Sequence, residues 1–236
     1  MTIIKKRCLT LPFELVDIIK SYVIYQPQTK EELKKIVKQW VTNKEETTKK
    51  YGHILLWDTS KINDMSYLFE NYNSIYCFDG TEILMNRYFN ENINNWDVSN
   101  VTTTKNMFIY CKDFNQPLNN WNTKKINNME KIFSECTDFN QPLNNWNTSN
   151  VTNMNSMFES CFKFNQPLNN WNTSNVLSME TMFYDCINFN QSLNKWNVSN
   201  VKTMKCMFVG CKKFNKSINE WKTINVENMF AECRKI

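Results

Sequence analysis

The stretch from Phe139 to Phe164, FNQPLNNWNTSNVTNMNSMFESCFKF, begins again almost letter for letter at Phe164, and copies before and after it make most of the chain. Trp96, Trp121, Trp146, Trp171, Trp196 and Trp221 fall 25 residues apart. A fixed period of this length commits a chain to a stacked architecture, because one unit cannot bury its apolar face alone and leans on its neighbours. Trp57 heads an earlier unit, separated from Trp96 by one period plus 14 residues. The extra residues fall between Glu70 and Tyr88 and include the turn-prone pair Asp79-Gly80. The last unit is three residues short between Trp221 and Cys233, as terminal repeats often are.

Comparing the units with one another separates what recurs from what varies. In the clearest unit the recurrent apolar residues are Phe139, Leu143, Trp146, Val151, Met154, Met157, Phe158 and Cys161. Met154, Met157, Phe158 and Cys161 follow at steps of three, one and three, the spacing of one helix face. Leu143 to Trp146 can lie extended between Pro142 and Asn-Thr-Ser. Each unit therefore reads as strand, corner, short helix, corner. The expected fold is an α/β repeat solenoid, leucine-rich-repeat-like, with a short strand plus a short helix per coil and an N-terminal α-helical cap. Asn140, Asn144, Asn147 and Asn150 recur at corners, where stacking predicts amide ladders, each side chain bonding to its copy in the next coil.

Ahead of the coils, Leu11, Leu15, Ile18, Ile19, Tyr22 and Val23 repeat at helical spacing, with Thr10 as a cap and Pro12 in a tolerated first-turn position. Gln26-Pro27-Gln28 ends that helix. A second helix opens at the capping box of Thr29 and Glu32 and carries an apolar stripe of Leu33, Ile36, Val37, Trp40 and Val41. A third opens at Thr42, with Glu45 as its box partner, and stops at Tyr51-Gly52. The expected organisation is a helix over residues 1–27, a helical cap over 28–52 and seven coils over 53–236, with the insertion at about 70–88.

Chemistry-bearing motifs are scarce. Cys111, Cys136, Cys161, Cys186 and Cys211 recur once per coil, which gives each thiol two equal neighbours and no unique disulfide partner, and no second Cys pair or His converges with them to hold a metal. They read as small buried hydrophobes. The one histidine, His53, stands between cap and coils without a nucleophile at a suggestive spacing. With three glycines in 236 residues, a glycine-rich phosphate loop is excluded. The expectation is a protein that is not an enzyme, with no cofactor, no metal and no small-molecule substrate. Sequons at Asn100, Asn147, Asn150, Asn172, Asn190, Asn197 and Asn215 arise from a repeat built of Asn, Ser and Thr.

Net charge is +5, and the basic excess gathers near the C-terminus in Lys195, Lys202, Lys205, Lys212, Lys213, Lys216 and Lys222. Nucleic-acid binding by these basic coils is the weakest of the functional readings, since lysines at varying outward positions usually form a solvated face. No apolar run approaches the length of a membrane span, and the N-terminus shows no signal-peptide cleavage site, so the expected location is intracellular.

Two resemblances add to this reading. The pattern W-(D/N)-(T/V)-S-N-V-x-x-M-x-x-M-F-x-x-C-x-x-F-N-Q-P-L-N-N resembles the BspA-like repeat family, found in bacterial and mycoplasma surface lipoproteins, in protists and in large DNA viruses. It covers about residues 53–236 and departs from the pattern at Tyr72, which replaces the cysteine, and at Thr104, which replaces the first methionine. The resemblance implies a leucine-rich-repeat-like solenoid used for protein binding or surface attachment, and the absence of a leader favours an intracellular version, in the host cytoplasm or virion, over the bacterial surface members. LPFELVDIIKSYV resembles the opening of an F-box. That implies docking to a Skp1-type adaptor of a ubiquitin ligase through Leu11, Pro12, Leu15, Ile18, Ile19 and Val23. The alternative is a helix that only caps the coils.

Positions that vary between coils are free of a folding duty and mark where a target would bind. They flank each ladder cysteine: Tyr110, Lys112 and Asp113 in one coil, Glu135 and Asp138 in the next, then Glu159 and Lys163, Tyr184 and Asp185, and Lys212 and Lys213. The reading is a non-catalytic protein–protein interaction module, with a structural or surface-attachment protein as the rival class.

Overall fold

The structure, a computed structural model, describes residues 24–69, 74–76, 82–219, 221 and 229–230. The first helix expected from the sequence, with Leu11 to Val23, lies outside the described residues. Helix α1 spans Lys30–Thr42 and α2 spans Lys44–Tyr51. Thr29 caps α1 by accepting the Glu32 N–H at 3.1 Å. The stripe of Leu33, Ile36, Val37 and Trp40 is buried. α2 is capped by Asn43, one residue later than expected, because Asn43 Oδ1 accepts the Glu46 N–H while the Thr42 hydroxyl donates back to the Lys38 carbonyl of α1. Gly52, with φ of 72°, closes α2 in the left-handed region that glycine enters without strain.

α1 covers the first coil. The Trp40 ring meets Trp57 edge-on at 5.7 Å and 84°. Lys30 Nζ reaches the Asp64 carboxylate at 2.9 Å and the Ser66 hydroxyl.

The coils stack with their backbones hydrogen-bonded along the stack axis. Alternate N–H groups of one coil donate to the next: Met154 to Ser178, Ser156 to Glu180, Phe158 to Met182 and Ser160 to Tyr184, at 2.7–3.0 Å. The N–H groups between them close turns within the coil, Met157 to Met154, Glu159 to Ser156 and Cys161 to Phe158. Further turns run from Trp146 back to Leu143 and from Val151 back to Thr148. One row of single parallel bridges joins Asp64, Thr103, Asn128, Asn153, Ser178 and Thr203.

This corrects the expected α/β solenoid with a strand and a helix per coil. Among the described residues the helices are α1 and α2 and short 3-10 turns, and the two strands, β1 (Ser74–Tyr76) and β2 (Glu82–Leu84), form one antiparallel hairpin inside the insertion. The coils themselves are successions of turns. The physical reason lies in φ: Ser156 and Ser160 sit at +51° and +57°, and the same two places are left-handed in the neighbouring coils at Lys131 and Glu135, and at Thr181 and Asp185. A left-handed residue at every fourth position interrupts a right-handed helix before its second turn. Leu143 to Trp146, expected to be extended, is likewise a turn.

All eight recurrent apolar residues of the central coil are buried. Their rings form three columns along the axis. Phe133, Phe158 and Phe183 follow at 5.6–5.8 Å, Phe139, Phe164 and Phe189 at 6.0–6.1 Å, and Trp146, Trp171 and Trp196 at 6.3–6.5 Å, the rings within 14° of parallel. Offset stacking of this kind adds to the area each ring removes from water.

Polar atoms of the same side chains close the backbone. Trp146, Trp171 and Trp196 donate their indole N–H to Leu118, Leu143 and Leu168 carbonyls one coil back, at 2.9–3.0 Å. The Cys161 and Cys186 thiols donate to the Phe133 and Phe158 carbonyls, so the cysteines are more than small hydrophobes. The asparagine ladder also differs from the expected amide-to-amide form: Asn140 Oδ1 accepts the backbone N–H of Asn165, and Asn165 Oδ1 that of Asn190, each at 2.9 Å, while Gln166 and Gln191 add a second donor. Asn150 Nδ2 donates to the Lys124 carbonyl.

Replacing Trp171 with Phe keeps a ring in the column and removes the donor to Leu143. Urea unfolding should show a loss of about 1–3 kcal/mol; an unchanged midpoint would show that this bond contributes nothing.

Candidate interaction face

Once the stacking residues are accounted for, the side chains that vary between coils form two adjacent rows parallel to the axis. One row follows the second left-handed position: Tyr110, Glu135, Ser160, Asp185 and Gly210. The other follows the turn after each ladder cysteine, where Asp113 donates its N–H to the Arg87 carbonyl, Asp138 to Lys112, Lys163 to Thr137 and Lys213 to Ile187. Tyr88 and Arg87, at the end of the insertion, therefore continue the second row toward the cap.

The residues expected to bind a target divide by exposure. Tyr110, Lys163, Lys212 and Lys213 are exposed, whereas Lys112, Asp113, Glu135, Asp138, Glu159, Tyr184 and Asp185 are half-buried. Their row neighbours Ile109, Ser134, Ser160 and Val209 are buried, so variation between coils does not by itself mean surface. Lys163 pairs with Asp138 of the preceding coil at 2.9 Å, and Ser134 Oγ donates to the Glu159 carboxylate at 3.2 Å. Gly210 has φ of 73°, and a Cβ there would stand 1.9 Å from Asp185 Oδ1 and 3.2 Å from its Cα. The missing side chain is what leaves room for the Asp185 carboxylate.

Beside these rows lies a polar face that the sequence reading passed over. Asp64, Asn128 and Asn153, at the bridge position, each accept the N–H two residues on, to Ser66, Glu130 and Asn155. The signal was present: the position two after each Val or Ile is Asp, Thr, Asn, Asn, Ser and Thr in successive coils, always a short side chain able to cap a turn. Coils are tied across this face by Lys105 to Glu130 at 3.0 Å, by Asn153 Nδ2 to the same carboxylate, by Ser178 to Asn155 and by the hydroxyls of Ser156 and Thr181.

No group of three or more His, Cys, Asp or Glu side chains is placed to hold a metal among the described residues. Burial pushes the thiols of Cys111, Cys136, Cys161 and Cys186 well above the ordinary range, which leaves them neutral, and the last three donate to carbonyls one coil back. The candidate adaptor-binding residues Leu11, Pro12, Leu15, Ile18, Ile19 and Val23 lie outside the described residues. The chain that follows them is fixed to the first coil, with Tyr25 against Tyr51 and hydrogen-bonded to Glu32, and Gln26 donating to Asp58 at 2.8 Å. Among the described residues no helix is long and apolar enough to cross a membrane.

Turn-built 25-residue coils behind a two-helix cap define a stacked-repeat protein. The chain belongs to the family described as "Mycoplasma protein of unknown function, DUF285", whose model matches it three times, over residues 36–160, 76–186 and 142–236. No curated protein and no solved structure matches it.

His53 joins cap to coils: its ring stands edge-on to Trp40 at 4.9 Å and its Nδ1 accepts the Leu55 N–H at 3.2 Å. Burial lowers its pKa below the ordinary 6.5, with Glu91 opposing and Lys44 reinforcing the shift. The unfolded chain thus binds the proton more readily, so stability is full above 6.5 and is lost as pH falls through the folded-state value. Melting followed from neutral to mildly acidic pH should show a fall in Tm that is smaller in His53→Asn, whose amide oxygen can keep the Leu55 bond. Parallel pH profiles for the two proteins would refute the role of His53.

Proposed function

We propose that this is a non-catalytic protein–protein interaction module whose two variable rows select a target and whose N-terminal residues act as an F-box-like adaptor toward a Skp1-type partner of a ubiquitin ligase. The observation that carries the reading is the division of labour along each coil. Trp, Met, Phe, Cys and Asn residues are consumed by stacking, while the residues that differ from coil to coil gather in contiguous rows on a rigid support. Tyrosines at Tyr110 and Tyr184, set among Lys and Asp, suit such a surface, since aromatic side chains contribute most to protein interfaces. Leu11 to Val23 hold the motif that resembles an F-box and precede the anchored Tyr25. A pull-down from eukaryotic lysate with the full chain and with a chain lacking residues 1–27 should recover the Skp1-type adaptor only with the full chain. Equal failure by both would sink the adaptor reading and leave the target rows to be tested by Tyr110→Ala and Tyr184→Ala.

A second reading, carried by the resemblance of the repeats to the BspA-like family, is a structural or attachment protein whose repeats coat a cell or particle surface. Fractionation of the producing cells separates the two: attachment requires the protein in the surface or particle fraction, and recovery in the soluble cytosol alone counts against it.

A further inference from the structure

The residue directly after the ladder cysteine is Lys112, Thr137, Phe162, Ile187 and Lys212 in successive coils. The two apolar members of this row, Phe162 and Ile187, stand on neighbouring coils. Phe162 is 39% exposed and Ile187 is half-buried. The flank is tied together around them: Asn188 Nδ2 donates to the Phe162 carbonyl at 2.7 Å, and the Lys213 N–H donates to the Ile187 carbonyl at 3.2 Å. One coil further on, Lys212 and Lys213 are both exposed and in no ion pair among the described residues. On the other side of the apolar pair the charge is already matched, because Lys163 pairs with Asp138 at 2.9 Å. In the adjoining row Asp185 turns its carboxylate over Gly210, where a Cβ would stand 1.9 Å from Oδ1. Between Cys186 and Asn219 there are six lysines and no carboxylate, so the field over the Lys212 side of this flank is positive.

We infer that this flank binds an extended acidic protein segment, with an apolar side chain seated on Phe162 and Ile187 and a carboxylate two residues on meeting Lys212 and Lys213. The inference rests on the reading of the variable rows as a target-binding surface and names the target's chemistry. Spacing fits such a segment. From midway between Phe162 and Ile187 to Lys212 is one and a half coils, about 7 Å at strand spacing, and alternate side chains of an extended segment are also about 7 Å apart. Charge selects protein over nucleic acid. A strand lying along the row would carry its phosphates past Asp138 and Asp113 as well as Lys213, whereas a protein segment can be acidic at one end only.

Selection of a random heptapeptide display library on the full chain tests this. The selected peptides should carry a large apolar residue followed two positions later by Asp or Glu. The tightest of them, labelled with a fluorophore and titrated against the full chain, should bind about fivefold more weakly to Phe162→Ser and to the double variant Lys212→Gln, Lys213→Gln. Its affinity should fall as salt rises. Lys124→Gln, at a different corner of the stack, should change nothing. Thermal melting checks that the variants fold. Selected peptides without acidic residues, or ones that bind Phe162→Ser and the double variant as tightly as the original chain, would overturn the inference. In that case dependence on Tyr110 or Tyr184 keeps the target-binding reading of the rows, whereas a library that yields no binder overturns both. Tighter binding of single-stranded polyuridylate than of any selected peptide would also overturn the inference.

Discussion

Everything in the coils depends on where the backbone N–H groups go. A helix would satisfy them within the segment, and a strand would send them sideways along a continuous ladder. Here they alternate, one closing a turn inside the coil and the next donating to the coil above. That alternation requires left-handed residues at fixed places, as at Ser156 and Ser160, and each costs roughly 1–2 kcal/mol for an L side chain. The strain persists because each strained turn delivers its neighbours' N–H groups to carbonyls in the next coil. A single coil would carry the strain and leave those groups unpaired.

The side chains complete the same arrangement. A turn-built coil leaves carbonyls facing its neighbours, and buried carbonyls need donors. The indole of Trp171, the thiol of Cys186 and the amide of Asn175 each reach one coil back to supply one, at Leu143, Phe158 and Ser149. Asn140 does the opposite and offers an acceptor to the Asn165 N–H. The recurrent Trp, Cys and Asn residues thus carry a set of hydrogen-bonding duties. The variable rows stand outside these stacking duties.

The sequence disclosed the period and the buried positions, because both depend only on which residues repeat. It did not disclose the elements of the coils. Met154, Met157, Phe158 and Cys161 have the spacing of a helix face, but successive three-residue turns share that spacing, and the sign of φ that separates them is hidden when the left-handed places carry Ser, Lys, Glu or Asp. Among the described coil residues, Gly210 and Asn106 are of types that favour the left-handed conformation they adopt. The candidate face was partly legible: Tyr110 and Lys163 are exposed as their variability suggests, while Ser134 and Ser160 vary equally and are buried. Tolerance of substitution there reflects small side chains filling a turn. The bridge column from Asp64 to Thr203 was fully legible as a run of capping residues, and was overlooked because its residue type changes while its hydrogen-bonding capacity does not.

Past the insertion, the links between coils all span nearly the same distance along the chain. The bonds described there for Trp, Cys and Asn cross 25, 26 or 28 residues, against 42 for Trp96 to Ile54 across the insertion. Parallel pairing is ordinarily slow to form because it joins distant segments. From Trp96 onward the loop to be closed is one coil, so the entropic toll of each closure stays constant as coils are added. A longer chain of the same design would grow in reach without growing harder to fold.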